Sequence, residues 1–136
     1  MERQKKVLDA SVLLKLFVHE EGSDIAHELC RAHTDAKAQI IVPELAFLEI
    51  LNVLRYKKKN AQSLSLVNER LFELQFHVEK ISQYLIEHAV RLAIEHDLSV
   101  YDAIYLALAR LHGCPLYTAD HKLGKCTGTI LLGDKP

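Results

Sequence analysis

Four acidic residues occupy positions where a carboxylate invites a chemical explanation. Asp9 closes the apolar run of "KKVLDAS", Asp120 closes "PLYTAD", Asp102 heads the apolar stretch "SVYDAIYLALA", and Glu49 lies inside "ELAFLEILNVL". Each aspartate has an ordinary structural reading, because an aspartate just ahead of a helix accepts hydrogen bonds from its first free backbone N–H groups. Asp102 follows Ser99 at the spacing of a capping box, in which the serine and the acid satisfy each other's backbone donors. Glu49 lies a full turn inside its helix, too deep to cap anything, and its ordinary reading is instead that it occupies the one solvated sliver of that helix. Leu45, Ala46, Phe47, Leu48, Ile50, Leu51, Val53 and Leu54 make its helix apolar nearly all round, which is the pattern of a buried helix. A carboxylate lodged there is strongly disfavoured unless a cation or several hydrogen bonds compensate it. Asn52 falls on the same helix face and offers one polar neighbour.

If Asp9, Glu49, Asp102 and Asp120 meet, their like charges raise one another's pKa, and a cation relieves the crowding. Hard divalent ions suit an all-oxygen set: Mg2+ prefers octahedral oxygen ligands at about 2.1 Å and keeps several waters, and Mn2+ accepts the same donors. Ser11 in "DAS" and Thr118 in "TAD" each lie two residues from an acid. Such hydroxyls orient a carboxylate or a bound water from behind, or simply close a turn. Asp9, Asp102 and Asp120 are the candidate metal ligands, direct or through water, and Glu49 is a ligand or a water-orienting base.

The elements that must position these residues alternate between strand and helix. "KKVLDAS" predicts a buried strand, followed by a helical period through Val12, Leu13, Leu16 and Phe17. "GSDIAHELCRAH" predicts a helix with Ser23 as its cap, and "QIIVP" a strand, with Pro43 opening a helix from Glu44 to about residue 58. A helix over residues 61–74, a strand "QFHVEK", a helix capped by Ser82, the helix of Asp102, a strand "CPLYTAD", a short helix near His121 and a strand "GTILL" complete the chain. Strands spaced by helices in this way predict a parallel sheet covered on both faces. Residues at the strand-to-helix turns then share the carboxyl edge of the sheet, where ligands bind in such folds. Asp9 and Asp120 are placed there by topology alone.

Composition narrows the function classes. The 136 residues predict one domain, and a formal net charge of −1 excludes a strongly basic nucleic-acid coat, so any polyanion must meet a local basic patch or bound cations. Arg55, Lys57, Lys58 and Lys59 follow Glu49, and Lys122 and Lys125 follow Asp120; they are candidate phosphate contacts or solvated helix ends. Three cysteines without a C-x-x-C pair point to a reducing cytoplasm rather than a disulfide framework. Asp9 and Lys15 interrupt the basic-then-apolar opening that a leader peptide would need, and no run reaches the roughly 20 apolar residues of a membrane span. Among eight histidines, Cys30 with His33 and His112 with Cys114 are pairs without the second pair a zinc site requires. Tyr101 and Tyr105 flank Asp102 and are expected in the core or at the rim of a groove.

In order and spacing, "VLDASVLLKLF", "VPELAFLEILNVL", "DLSVYDAIYLALA" and "PLYTADHKL" resemble the PIN domain over essentially the whole chain, and the size is similar to that of its VapC-type toxins. The resemblance implies a PIN-like three-layer α/β/α sandwich with a central parallel sheet, and an acidic pocket of Asp9, Glu49, Asp102 and Asp120. It also implies metal-dependent endonucleolytic cleavage of RNA, the role of toxin in a type II toxin–antitoxin pair, a small antitoxin as partner, and a homodimer. Two other classes compete: a non-catalytic or housekeeping PIN-like interaction module, and a phosphorelay receiver domain. The receiver needs an acid pair after the first strand, where Asp9 stands alone, although the closing "GDKP" is similar to its Lys-Pro element.

Overall fold

The computed structural model describes residues 3–57 and 59–132; Lys58 and the "GDKP" stretch lie outside the described residues. Among the described residues the chain forms five strands and seven helices: β1 (Gln4–Leu8), α1 (Ala10–Leu14), α2 (Ser23–Thr34), β2 (Ala38–Pro43), α3 (Leu45–Tyr56), α4 (Ala61–Glu73), β3 (His77–Glu79), α5 (Gln83–His96), α6 (Val100–His112), β4 (Leu116–Thr118), α7 (His121–Gly124) and β5 (Thr129–Leu131). All strand pairs are parallel, in the order β3-β2-β1-β4-β5.

That order fixes the layers. The chain steps outward from β1 to β2 to β3, then crosses to the other side of β1 for β4 and β5. Right-handed crossovers therefore put α1 to α4 on one face and α5 to α7 on the other. The contacts agree: α1 packs on α2 and α3, α3 on α4, and α5 on α6. This is the three-layer sandwich expected from the sequence. The direction of winding reverses between β1 and β4, and such a switch point leaves a crevice at the carboxyl ends of its two strands. Asp9 follows β1 and Asp120 follows β4 by two residues.

β2 runs "AQIIVP" with both faces covered, as a central parallel strand requires. In α6 seven consecutive residues, Ala103 to Ala109, are buried, because the helix is wedged between the sheet and α5. Each buried leucine there contributes roughly 2 kcal/mol of hydrophobic stabilisation. Gly113 ends α6 at φ 63°, in the left-handed region where a glycine cap is favoured.

Several local expectations change. Gly22, at φ 89°, caps α2 in place of Ser23, which is buried in the first turn and hydrogen-bonds the carbonyl of Val18. Pro43 ends β2 rather than opening α3, and Glu44 takes the cap position. α1 stops at Leu14, after which the N–H groups of Lys15, Leu16 and Phe17 bond carbonyls three residues back, and the buried ammonium of Lys15 donates to Glu20 and to the carbonyl of Glu21. Among the described residues, no helix is long and apolar enough to cross a membrane.

Candidate active site

At the switch point the carboxylate of Asp9 is 4% exposed and caps α1, its Oδ1 accepting from the backbone N–H of Val12 at 3.2 Å. Two hydroxyls complete its surroundings: Ser11 Oγ donates to Oδ1 at 2.5 Å and Thr118 Oγ1 donates to Oδ2 at 2.5 Å. Each hydroxyl also accepts a backbone N–H from the end of β4, Ser11 from Ala119 at 2.9 Å and Thr118 from Asp120 at 3.0 Å. The two residues that share a mirrored spacing in sequence thus form a matched pair of relays, and Asp9 is fixed in position from both sides. Burial nevertheless dominates its proton affinity. The Asp9 carboxyl is pushed up from 3.8 to about 6 by desolvation, against the pull of its three donors, and the charge of Asp102 adds to the rise.

Asp102 lies in the first turn of α6, where Ser99 Oγ accepts its backbone N–H at 3.0 Å, as the capping box predicts. Its carboxyl is raised by partial burial and then by the charge of Asp120, and lowered by Ser99 and Lys122. Asp120 caps α7, its Oδ1 accepting from the N–H groups of Lys122 at 2.8 Å and Leu123 at 3.0 Å. Glu49 is half-buried on α3, its pKa raised by desolvation and by Asp102 and lowered by the hydroxyl of Tyr105, which donates to Oε1 at 2.5 Å. Asp102 is therefore the hub: its charge is felt by Asp9 and Glu49, and it feels that of Asp120. Capping and clustering are compatible here, since Asp9 and Asp120 do both.

Of the two tyrosines beside Asp102, Tyr105 lies in the core as expected and also touches the site, which its sequence does not announce. It is 1% exposed, and its phenol lies within reach of Glu49, Asp9 and Asp102, whose charges, after burial, push its pKa far up and keep it a donor. Its spacing from Asp102, one helical turn along α6, was the available signal. The Tyr105–Glu49 bond joins the two helical layers over the strand ends.

Other expected members stand apart. α3 is not buried all round: Leu48 is 69% exposed and Tyr56 77%. Asn52 is exposed on that outer side, and among the described residues no hydrogen bond joins it to Glu49. Arg55 and Lys57 are exposed further along α3, about 9 and 12 Å down the helix axis from Glu49 at 1.5 Å per residue; Lys58 lies outside the described residues. Lys122 is close enough for its charge to act on Asp102, while also pairing with Asp97 at 3.3 Å. Cys30 and His33 form no ligand pair. Burial pushes the Cys30 thiol up to about 12, and His33 spends both ring nitrogens on the backbone of Ile40, Leu74 and Gln75.

All four donors are carboxylates, which suits hard cations and not thiophilic ones. Among the described residues no three of these acids bring oxygens within 4.8 Å of one another. A cation there would be held directly by at most two of these carboxylates, with water filling the rest of its shell.

Fold and site define an α/β protein with a carboxylate cluster at the switch point of a parallel sheet. The chain belongs to the PIN domain family, whose model matches residues 6–127. It is 35% identical over 127 residues to the ribonuclease VapC3 of Pyrobaculum aerophilum, covering 89% of this chain and 93% of that protein. Several solved structures share the fold. A toxin–antitoxin complex from Klebsiella pneumoniae is 24% identical with a TM-score of 0.64, over 92% of this chain and 95% of that one. VapC20 of Mycobacterium tuberculosis, a toxin that cleaves the sarcin–ricin loop, is 18% identical with a TM-score of 0.69, over 96% and 99% of the two chains.

Proposed function

We propose that this PIN domain is a Mg2+- or Mn2+-dependent endoribonuclease acting at Asp9, Glu49, Asp102 and Asp120, and the toxin of a type II toxin–antitoxin pair. The observation that carries the reading is the shared electrostatics: Asp9, Glu49 and Asp102 all hold protons more tightly than free carboxyls do, through burial and mutual charge. Carboxylates kept desolvated and within reach of one another's charge, around a rigidly held aspartate, suit neutralisation by a cation. The named activity of the VapC3 relative supports RNA as the substrate.

Asp9, Asp102 and Asp120 would hold the cation directly or through water, with Glu49 beside them. The bound ion supplies positive charge next to the scissile phosphate and makes water a stronger nucleophile. The chain's own residues do the rest. Ser11 and Thr118 fix Asp9, and Tyr105 aims Glu49 while favouring its ionised form, so that Glu49 is ready to orient a water and take its proton. Lys122 meets a phosphate of the substrate, and Arg55 and Lys57, with Lys58 next in sequence, serve RNA reaching beyond the acids. Backbone contacts of this kind give affinity without sequence choice.

The toxin role brings a small antitoxin, a homodimer and a cytoplasmic location with it. Leu48 and Tyr56 on α3 and Leu66 and Phe72 on α4 expose apolar surface that such partners would cover. A non-catalytic interaction module is the competing reading. Cleavage of a mixed RNA pool with end mapping separates the two. Cutting is expected with Mg2+ or Mn2+, is lost with chelator, and is lost in Asp9→Asn and Asp120→Asn; if both variants cut as fast as the parent, the acids are not the site.

A further inference from the structure

A second cluster lies at the other end of α6 and plays no part in the reading of the acids. His77 begins β3 and Glu79 ends it, so the two side chains leave the same face of the strand. His112 is the last residue of α6, ten positions after Asp102 and so about 15 Å from it along the helix. Glu79 Oε1 lies 3.2 Å from His77 Nε2 and 3.1 Å from His112 Nε2, and one ligand atom from each of the three residues falls within 4.8 Å of the other two. The two imidazoles meet edge to face, centroids 6.1 Å apart at 79°.

We propose that His77, Glu79 and His112 form a second metal site, selective for Zn2+ over Mg2+. A tetrahedral zinc with ligands at about 2.0–2.1 Å requires neighbouring ligand atoms about 3.3 Å apart, since the edge of a tetrahedron is about 1.6 times its radius. Both carboxylate-to-imidazole separations are already near that value. Two imidazoles and one carboxylate form a donor set that zinc takes with water in the fourth position, while Mg2+ disfavours nitrogen ligands. Glu79 is the anionic ligand, and each imidazole would exchange its Nε2 hydrogen bond to Glu79 for a bond to the metal. β3 is a three-residue strand at the edge of the sheet, hydrogen-bonded to β2. A metal there would pin this edge to the end of α6.

The test is calorimetric titration of the metal-stripped full chain with Zn2+ in excess Mg2+, which occupies the acidic pocket. The parent and Asp9→Asn are expected to bind one zinc equally well. Glu79→Gln and His112→Ala should each bind at least tenfold more weakly. Histidine 15N spectra of the parent should report metal at Nε2 of His77 and His112, and zinc should raise the melting temperature of the parent and not of His112→Ala. Parent protein that takes up no zinc under these conditions, or a His112→Ala variant that binds as tightly as the parent, overturns the site. Zinc binding lost in Asp9→Asn and retained in Glu79→Gln overturns it as well, by moving the ion to the acids.

Discussion

Replacing Asp9 by asparagine should stabilise the metal-free protein, and the gain should depend on pH. The Asp9 carboxyl is pushed up from 3.8 to about 6 in the fold, so the folded state binds its proton more tightly than the unfolded state does. Its stabilising neutral form is therefore lost as pH rises: stability declines from about pH 4 to about pH 6 and is level above. That difference corresponds to about 3 kcal/mol at neutral pH. Asparagine removes the charge but turns a donor toward Thr118 or Ser11, forfeiting one hydrogen bond worth about 1 kcal/mol. The expected balance is near zero at pH 4.5 and about 2 kcal/mol in favour of Asp9→Asn at pH 7.5, equivalent to about 6 °C in Tm for a chain of this size. Urea denaturation in EDTA at the two pH values reads this directly. Saturating Mg2+ should reverse the order at pH 7.5, since it binds the parent's carboxylates. A variant as weak as the parent at pH 7.5, or a difference that does not grow with pH, would refute the claim that Asp9 is held as a desolvated, repelled charge.

Two further outcomes follow from the same contacts. Tyr105→Phe removes the donor to Glu49, so the Glu49 pKa should climb further; the acid limb of the pH–rate profile should move to higher pH with about 1 kcal/mol lost in stability, and an unmoved profile would contradict the assigned role. Thr118→Val removes both the proton given to Asp9 and the acceptor used by the Asp120 N–H in a fully buried place, which should cost about 2 kcal/mol in a denaturation curve and slow cleavage; a loss below about 0.5 kcal/mol would mean the hydroxyl only fills space.

Much of this architecture was legible because its signals are local. Ser82 and Ser99 cap α5 and α6 as their positions predict, and the alternation of strand and helix led to a parallel sheet with Asp9 and Asp120 on one edge. Glu49 was singled out for a partly mistaken reason. Its helix is apolar by composition, yet Leu48 and Tyr56 face outward, and what makes Glu49 unusual is its approach to Tyr105 and Asp102. Asn52 failed as a neighbour because shared helical phase says nothing about which side the fold covers. Zinc spacing within short segments pairs His112 only with Cys114 and gives no reason to look at His77, since the meeting of the two histidines depends on β3 pairing with β2 while α6 crosses the sheet. Contacts made by long-range topology leave no spacing to read.

The paired hydroxyls of Ser11 and Thr118 make the amides of Ala119 and Asp120 a built-in reporter. Each amide is one hydroxyl away from an oxygen of Asp9, so a proton or cation arriving at that carboxylate polarises the hydroxyl and is felt by the peptide group behind it. The occupancy of the cleft is thereby written into two backbone nuclei just past the neighbouring strand, and can be followed there without any RNA being cut.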